Sequence, residues 1–253
     1  MGTFVVPAST TPTVRALGDA ATRRGLVVLP LALGSEVDRV PSADRVHLFG
    51  GPRLADLVRR RSSLALLEPH DAWLAELPPR FLRRRVTLMT ALDAYGLQER
   101  CFVKMPREKG FEPGAYHGHE LPTLAQDEPL LVSDVVAMGD EHRFWVLDGV
   151  VHAASSYRVH GRPEARPLDP QGSGPLLRFV DELLLDQEGR LPSAVVVDVA
   201  WISAPDPGWA VVEANMAWFS AHYAADPERV LDVVLRAAGP AEDVADRDAP
   251  FVA

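Results

Sequence analysis

Apolar and polar positions along the chain change period several times, and each change marks an element. The runs at 3–8 and 26–32 are short and continuously apolar, as buried strands are. Between them TVRALGDAATRRG has helical spacing, and Gly25 stands where a helix ends. VHLFGG at 46–51 predicts a further strand and LADLVRRR a helix, which completes a small α/β unit over residues 1–75. FLRRRVTLMTALDAYG at 81–96 is read as the next helix.

From about residue 100 strands take over. CFVKM and LLVSDVVAM are strands, with a loop rich in Gly, Pro and His between them. RFWVLDGVVHAASSYRV predicts a hairpin turning at Asp148-Gly149. LLRFVDELLLDQEG is an amphipathic helix, AVVVDVAWI and WAVVEAN are strands, and DPERVLDVVLRAAG is a helix capped by Asp226. AEDVADRDAPFVA, residues 241–253, predicts a flexible tail.

Composition narrows the function classes. The 253 residues carry a net charge of −9, which argues against general nucleic-acid binding. No apolar run is long enough for a membrane span, the first residues do not read as a secretion signal, and one cysteine permits neither an internal disulfide nor a cysteine metal cluster. A cytoplasmic protein is the expectation. Charge is uneven, with +4 over residues 1–100 and −13 over the rest, and the arginine runs 59–61 and 83–85 are read as solvated helix faces. Among 26 basic residues only Lys104 and Lys109 are lysines, and Asn215 is the one asparagine. Lysine is a compact point charge that arginine does not replace at a phosphate.

The hairpin at 194–215 draws most of the chemistry. If Ile202 pairs with Trp209 across the SAPDPG turn, Asp198 lies opposite Glu213, and Asn215 projects from the same face. Two carboxylates and an amide oxygen would converge. Opposed like charges destabilise a sheet unless neutralised, and Mg2+ is a hard cation that takes such oxygens and shares its shell with phosphates. The alternative is an edge hairpin with a wet acidic face. Lys104 sits in an apolar strand, facing either solvent or an anion such as phosphate. Lys109 and Gly110 open a loop suited to closing over phosphates, although no Walker A or dinucleotide glycine motif occurs. After the hinge at Ser133 and Asp134, Glu141 is placed to accept from ribose hydroxyls, or else belongs to a surface Glu–Arg alternation. Arg143 and Arg158 are candidates to grip a substrate carboxylate. Cys101 reads as core. His117 and His119 form an H-x-H pair with too few further ligands for zinc.

In this order the features resemble the ATP-grasp superfamily, and most of all a small bacterial ATP-grasp domain family. The resemblance rests on FVKMPREKGF, LLVSDVVAM, EHRFWVLDG, SSY, VVDVAW and VVEANMAW and covers about residues 65–236. It implies a mixed α/β and α+β architecture. A small N-terminal α/β pre-ATP-grasp domain (1–75) would precede two α+β subdomains clasping ATP, a central or lid subdomain (76–134) and a C-terminal metal-binding one (135–240). It implies that Lys104 contacts ATP phosphates, that Ser133 and Asp134 lie on the adenine side, that Glu141 holds the ribose, and that Asp198, Glu213 and Asn215 bind Mg2+. An arginine, Arg85 by preference and Arg84 nearly as well, would replace the first nucleotide-binding lysine of better-known members. Asp134 departs from the usual hinge Glu. The implied activity joins a small-molecule or peptide carboxylate to an amine through an acylphosphate. A kinase that stops after phosphoryl transfer, or a nucleotide- or partner-binding module without turnover, are the alternatives.

Overall fold

The computed structural model describes residues 2–32, 39–41, 45–107, 110–169 and 172–253; Lys109 lies outside them. Strands β1 (Thr3–Pro7), β2 (Val27–Leu31) and β3 (Val46–Leu48) form a parallel sheet in the order β2-β1-β3. Helix α1 (Pro12–Arg23) makes the first crossover. Thr11 caps it by accepting from the Val14 N–H at 3.3 Å, and Gly25 takes the positive φ of 76° that follows the helix end. Helix α2 (Pro52–Arg59) follows β3, and β4 (Leu64–Leu66) leads out of the unit.

The expected helix over 81–96 is corrected. Helix α3 (Pro79–Leu82) stops at Arg83, whose φ is 51°, and β5 (Val86–Thr90) follows, then the single-turn helix α4 (Ala91–Ala94). The β-branched Val86, Thr87 and Thr90 suit a strand, and β5 finds a partner in β8. With β6 (Cys101–Lys104), β7 (Gly114–Tyr116) and β8 (Pro129–Ser133) it forms an antiparallel sheet in the order β5-β8-β6-β7. Register gives the sheet two faces. Val103, Leu130 and Val132 pack on α4, while Lys104, Leu131 and Val86 face the other way.

The largest sheet is built from β9 (Met138–Leu147), β10 (Val150–Val159), β11 (Arg162–Pro167), β12 (Ala194–Ile202) and β13 (Gly208–Asn215), in the order β11-β10-β9-β12-β13. Asp148 and Gly149, at φ 54° and 77°, make the tight turn between β9 and β10. Helix α5 (Gly174–Asp186) covers one face by packing Leu176, Val180 and Leu183 with Val195, Val197 and Phe144. Helix α6 (Pro227–Ala237) covers the other and joins it to the N-terminal sheet, so Phe4, Leu17, Trp145, Val196 and Leu231 share one core. Strand β14 (Ala238–Pro240) then returns to pair with β4.

Residues 241–253 do not form a loose tail. Phe251 is buried, Leu67 bridges to Val252, and Asp248 is 1% exposed, accepting from the Ser193 N–H at 2.7 Å and its hydroxyl at 2.6 Å. The segment's low hydrophobicity hid one apolar anchor and one fully satisfied carboxylate. Among the described residues no helix is long and apolar enough to cross a membrane.

Candidate active site

The hairpin of β12 and β13 starts one residue away from the expected register. Ile202 pairs with Gly208 and Trp201 with Trp209. A bulge then absorbs Val212, since Val199 pairs with Val211 but Asp198 pairs with Glu213. The carboxylates are therefore opposed, as the sequence suggests, but only because one residue is looped out beside them. Strand β13 is also the edge of its sheet, so its outer carbonyls need donors from elsewhere. The arginine run supplies them. Arg83 donates to Trp209 O at 3.1 Å, and Arg84 Nη1 donates to Val211 O at 2.9 Å, with Nη2 3.5 Å from Val212 O. The run 83–85 is thus no solvated helix face. Burial pushes the Arg84 guanidinium down to about 10, and its role is to clamp the bulged backbone.

Opposed carboxylates call for cations, and the protein provides two. Asp198 is 1% exposed and accepts bidentately from Arg143, Nε to Oδ1 at 2.8 Å and Nη2 to Oδ2 at 2.7 Å. Burial opposes the charge on Arg143, but the Asp198 carboxylate and its hydrogen bonds hold the guanidinium above its ordinary value. Both Asp198 oxygens accept N–H donors, the arrangement of an ionised carboxylate. The guanidinium carbon also lies 5.5 Å and 5.1 Å from the ring centres of Tyr157 and Tyr223. Lys104 reaches across from β6 to ion-pair with Glu213. Burial works to raise the Glu213 carboxyl, but Lys104 and the Asn215 amide outweigh it and push it down to about 2. Asn215 Nδ2 donates to Glu213 Oε1 at 2.8 Å and lies 3.3 Å from Asp198 Oδ2, which locks the three side chains together.

The cluster opens on a cleft of about 930 Å3 between the C-terminal ends of β1 and β2, Arg143 in the middle of β9, and the end of β13. Over residues 81–233 the sequence matches the model of an ATP-grasp domain family, described as family 2 of its clade. The chain belongs to this ATP-grasp family. Its fold is similar to the RimK domain ATP-grasp protein of Sphaerobacter thermophilus, at a TM-score of 0.55 and 16% identity over 92% of this chain and 99% of that one. D-cycloserine synthetase DcsG is similar at a TM-score of 0.55 and 16% identity, over 92% of this chain and 97% of its own. The D-alanine–D-alanine ligase of Bacillus anthracis is similar at a TM-score of 0.52 and 11% identity, over 94% and 97%. At such identities the likeness is one of fold. No curated protein sequence matches the chain.

Within this ATP-grasp frame the remaining candidates separate. Glu141 lies on the same sheet face as Arg143 and Asp198, where it accepts from the Tyr157 hydroxyl at 2.7 Å and pairs with Arg158 at 3.1 Å. Arg158 is therefore engaged at the far side of Glu141 and does not join the Lys104 cluster. Arg85 does not join it either. Its side chain is 81% exposed and paired with Asp134 at 2.8 Å, on the sheet face opposite Lys104. Strand parity puts Arg84 on the Lys104 side, and Ser133 shares that face. Cys101 is half-buried against the α4 core, and burial raises its thiol. His117 and His119 stack on each other with ring centres 5.6 Å apart.

Sequence reasoning missed the clamp by Arg84, the tyrosines around Arg143, and Arg107. The last follows Lys104 by three residues and pairs with Glu68 and Asp71 ahead of the central sheet. The donor set suits magnesium in kind. Among the described residues no three His, Cys, Asp or Glu side chains converge to hold a metal by themselves. Two carboxylates and the Asn215 amide do converge, with Nδ2 donating to both carboxylates; a half-turn of the amide would offer its oxygen to an ion that brings phosphate and water oxygens of its own. Both Asp198 oxygens are held by Arg143, so Glu213 and Asn215 are the groups turned to the cleft.

Proposed function

We propose that the protein joins a carboxylate to an amine with ATP, by way of an acylphosphate. The supporting observation is the convergence of Lys104, Glu213, Asn215 and the Arg143–Asp198 pair, of which Arg143, Glu213 and Asn215 line one cleft, in an ATP-grasp fold. The nucleotide lies between the sheet carrying Lys104 and the sheet carrying Glu213, with Ser133 and the hinge on its adenine side and Glu141 oriented by Tyr157 toward the ribose. Magnesium, when bound with the nucleotide, neutralises phosphate charge, and Glu213 and Asn215 would hold it with Asp198 behind them. Lys104 then exchanges Glu213 for a phosphate oxygen, which costs little because one charged partner replaces another.

A substrate carboxylate oxygen attacks the γ-phosphorus and the bond to the β-phosphate oxygen breaks, giving ADP and an acylphosphate. The amine attacks the acyl carbon, loses a proton, and displaces phosphate. Phosphoryl transfer asks the protein for alignment and charge stabilisation rather than covalent chemistry. Lys104 and Arg143 offer the positive charge, and Arg143 is kept in place by Asp198 and the two tyrosines. ADP release across arrays of acids and amines tests this reading. Turnover should require an acid and rise when the right amine is added. ADP release with an acid or alcohol alone, leaving a stable phosphorylated product that no amine consumes, would mean a kinase instead.

A further inference from the structure

Beside the phosphate-facing cluster, the cleft has an apolar wall of which only Tyr223, through its contact with Arg143, enters the chemistry above. Leu31 and Leu54 come from the N-terminal unit, and Met216, Phe219 and Tyr223 from the segment after β13. Phe219 is 53% exposed and Tyr223 37% exposed, so two aromatic rings are left facing water inside a concavity. Phe219 rests on the backbone at Gly51, where a Cβ would come within 3.1 Å of the ring. A side chain at 51 would displace Phe219 from the cleft wall.

Three arginines line this cleft. Arg143 is committed to Asp198, and Arg107 to Glu68 and Asp71. Arg53 is exposed in the first turn of α2 and has no ion-pair or hydrogen-bond partner among the described residues. An uncommitted guanidinium next to an apolar wall, in a chain of net charge −9, marks where an anion with an apolar body would settle. The α2 helix adds to this, because its N-cap Gly51 offers no side-chain cap and the positive helix end faces the same space.

We propose that the cleft binds an amino acid or short peptide with a free carboxylate and a bulky apolar side chain. The carboxylate sits on Arg53 and the first turn of α2, and the side chain on Phe219, Tyr223 and Met216. The substrate's amine then points inward to the cluster of Arg143, Glu213 and Asn215. Its role as the amine partner rests on the ligase reading; its binding does not.

Calorimetry without turnover separates the two. The parent protein, with and without a non-hydrolysable ATP analogue, is titrated with phenylalanine, phenylalaninamide and alanine. Phenylalanine should bind at least about tenfold more tightly than either of the others. Arg53→Gln should lower phenylalanine affinity to the level of the amide and leave the amide unchanged. Phe219→Ala should remove the preference of phenylalanine over alanine. Both positions are exposed, so melting temperatures should match the parent. The inference is overturned if no probe binds the parent, if Arg53→Gln binds phenylalanine as the parent does, or if the parent does not distinguish phenylalanine from alanine. Binding as stated without amide formation would sink the ligase reading alone. ADP release that needs an amine but is indifferent to Arg53→Gln and Phe219→Ala would sink the substrate assignment alone.

Discussion

Lys104→Ala should lower ADP release by about 10²- to 10³-fold, the range seen when one preorganised charge at a transition state is removed. The chain should stay folded. Lys104 is mostly buried and its partner in the free protein is Glu213. Losing that pair leaves Glu213 with Asn215 as a donor and Arg143 nearby, so the stability loss should be about 2 kcal/mol, on the order of 5 °C in melting temperature. ADP release and thermal melts on the same samples decide it. Normal turnover would leave Lys104 a structural counter-ion and remove the phosphate role. Glu213→Gln makes a companion test. Glu213 still repels Asp198, but its attraction to Lys104 and its bond from Asn215 are larger, so removing the Glu213 charge loses more than it relieves. A carboxyl pushed down to about 2 is stabilising in its charged form, so this variant should melt below the parent.

Arg143→Met should have the largest effect on stability, about 3–5 kcal/mol and on the order of 10 °C in melting temperature. It leaves Asp198 buried, with Asn215 alone as a hydrogen-bond donor. Burial already holds that carboxyl above its ordinary value in the parent, and without the guanidinium to oppose it the folded pKa rises further. A group shifted that way contributes stability below its unfolded pKa and loses it as pH rises. The deficit against the parent should therefore shrink as the medium is made acidic. The double variant Arg143→Met/Asp198→Leu should recover most of the loss at neutral pH, because replacing both members of a buried pair with apolar groups avoids the unpaired charge. Equal losses in the single and double variants would show that packing around Tyr157 and Tyr223, and not charge, sets the cost.

Local pattern carried the elements whose signals are local. The Asp148-Gly149 turn, the Asp226 cap and the alternation along β12 and β13 all follow from neighbours in the chain. The opposition of Asp198 and Glu213 was legible too, but for an incomplete reason, since the bulge at Val212 compensates a turn that ends one residue earlier than expected. What could not be read was set by distant partners. Lys104 and Glu213 are 109 residues apart, and Arg84 and Val211 are 127 apart. The sequence shows three consecutive arginines. Only the edge of β13 distinguishes Arg83 and Arg84, which satisfy its carbonyls, from Arg85, which turns outward to Asp134. The residues flanking VTLMT have helical spacing and draw it into an expected helix; pairing with β8 overrides that preference. Arg53 and Phe219 carry no motif, and their adjacency to one cleft exists only in the fold.

The central claim is that the γ-phosphoryl group passes to a carboxylate oxygen. A carboxylate substrate labelled with ¹⁸O in both oxygens, incubated with ATP and the amine found in the ADP-release screen, tests it directly by mass spectrometry of the phosphate. An acylphosphate route sends one label into inorganic phosphate for every amide formed, because the oxygen that attacked phosphorus leaves with it. Phosphate free of label, with the amide product formed, would contradict the account.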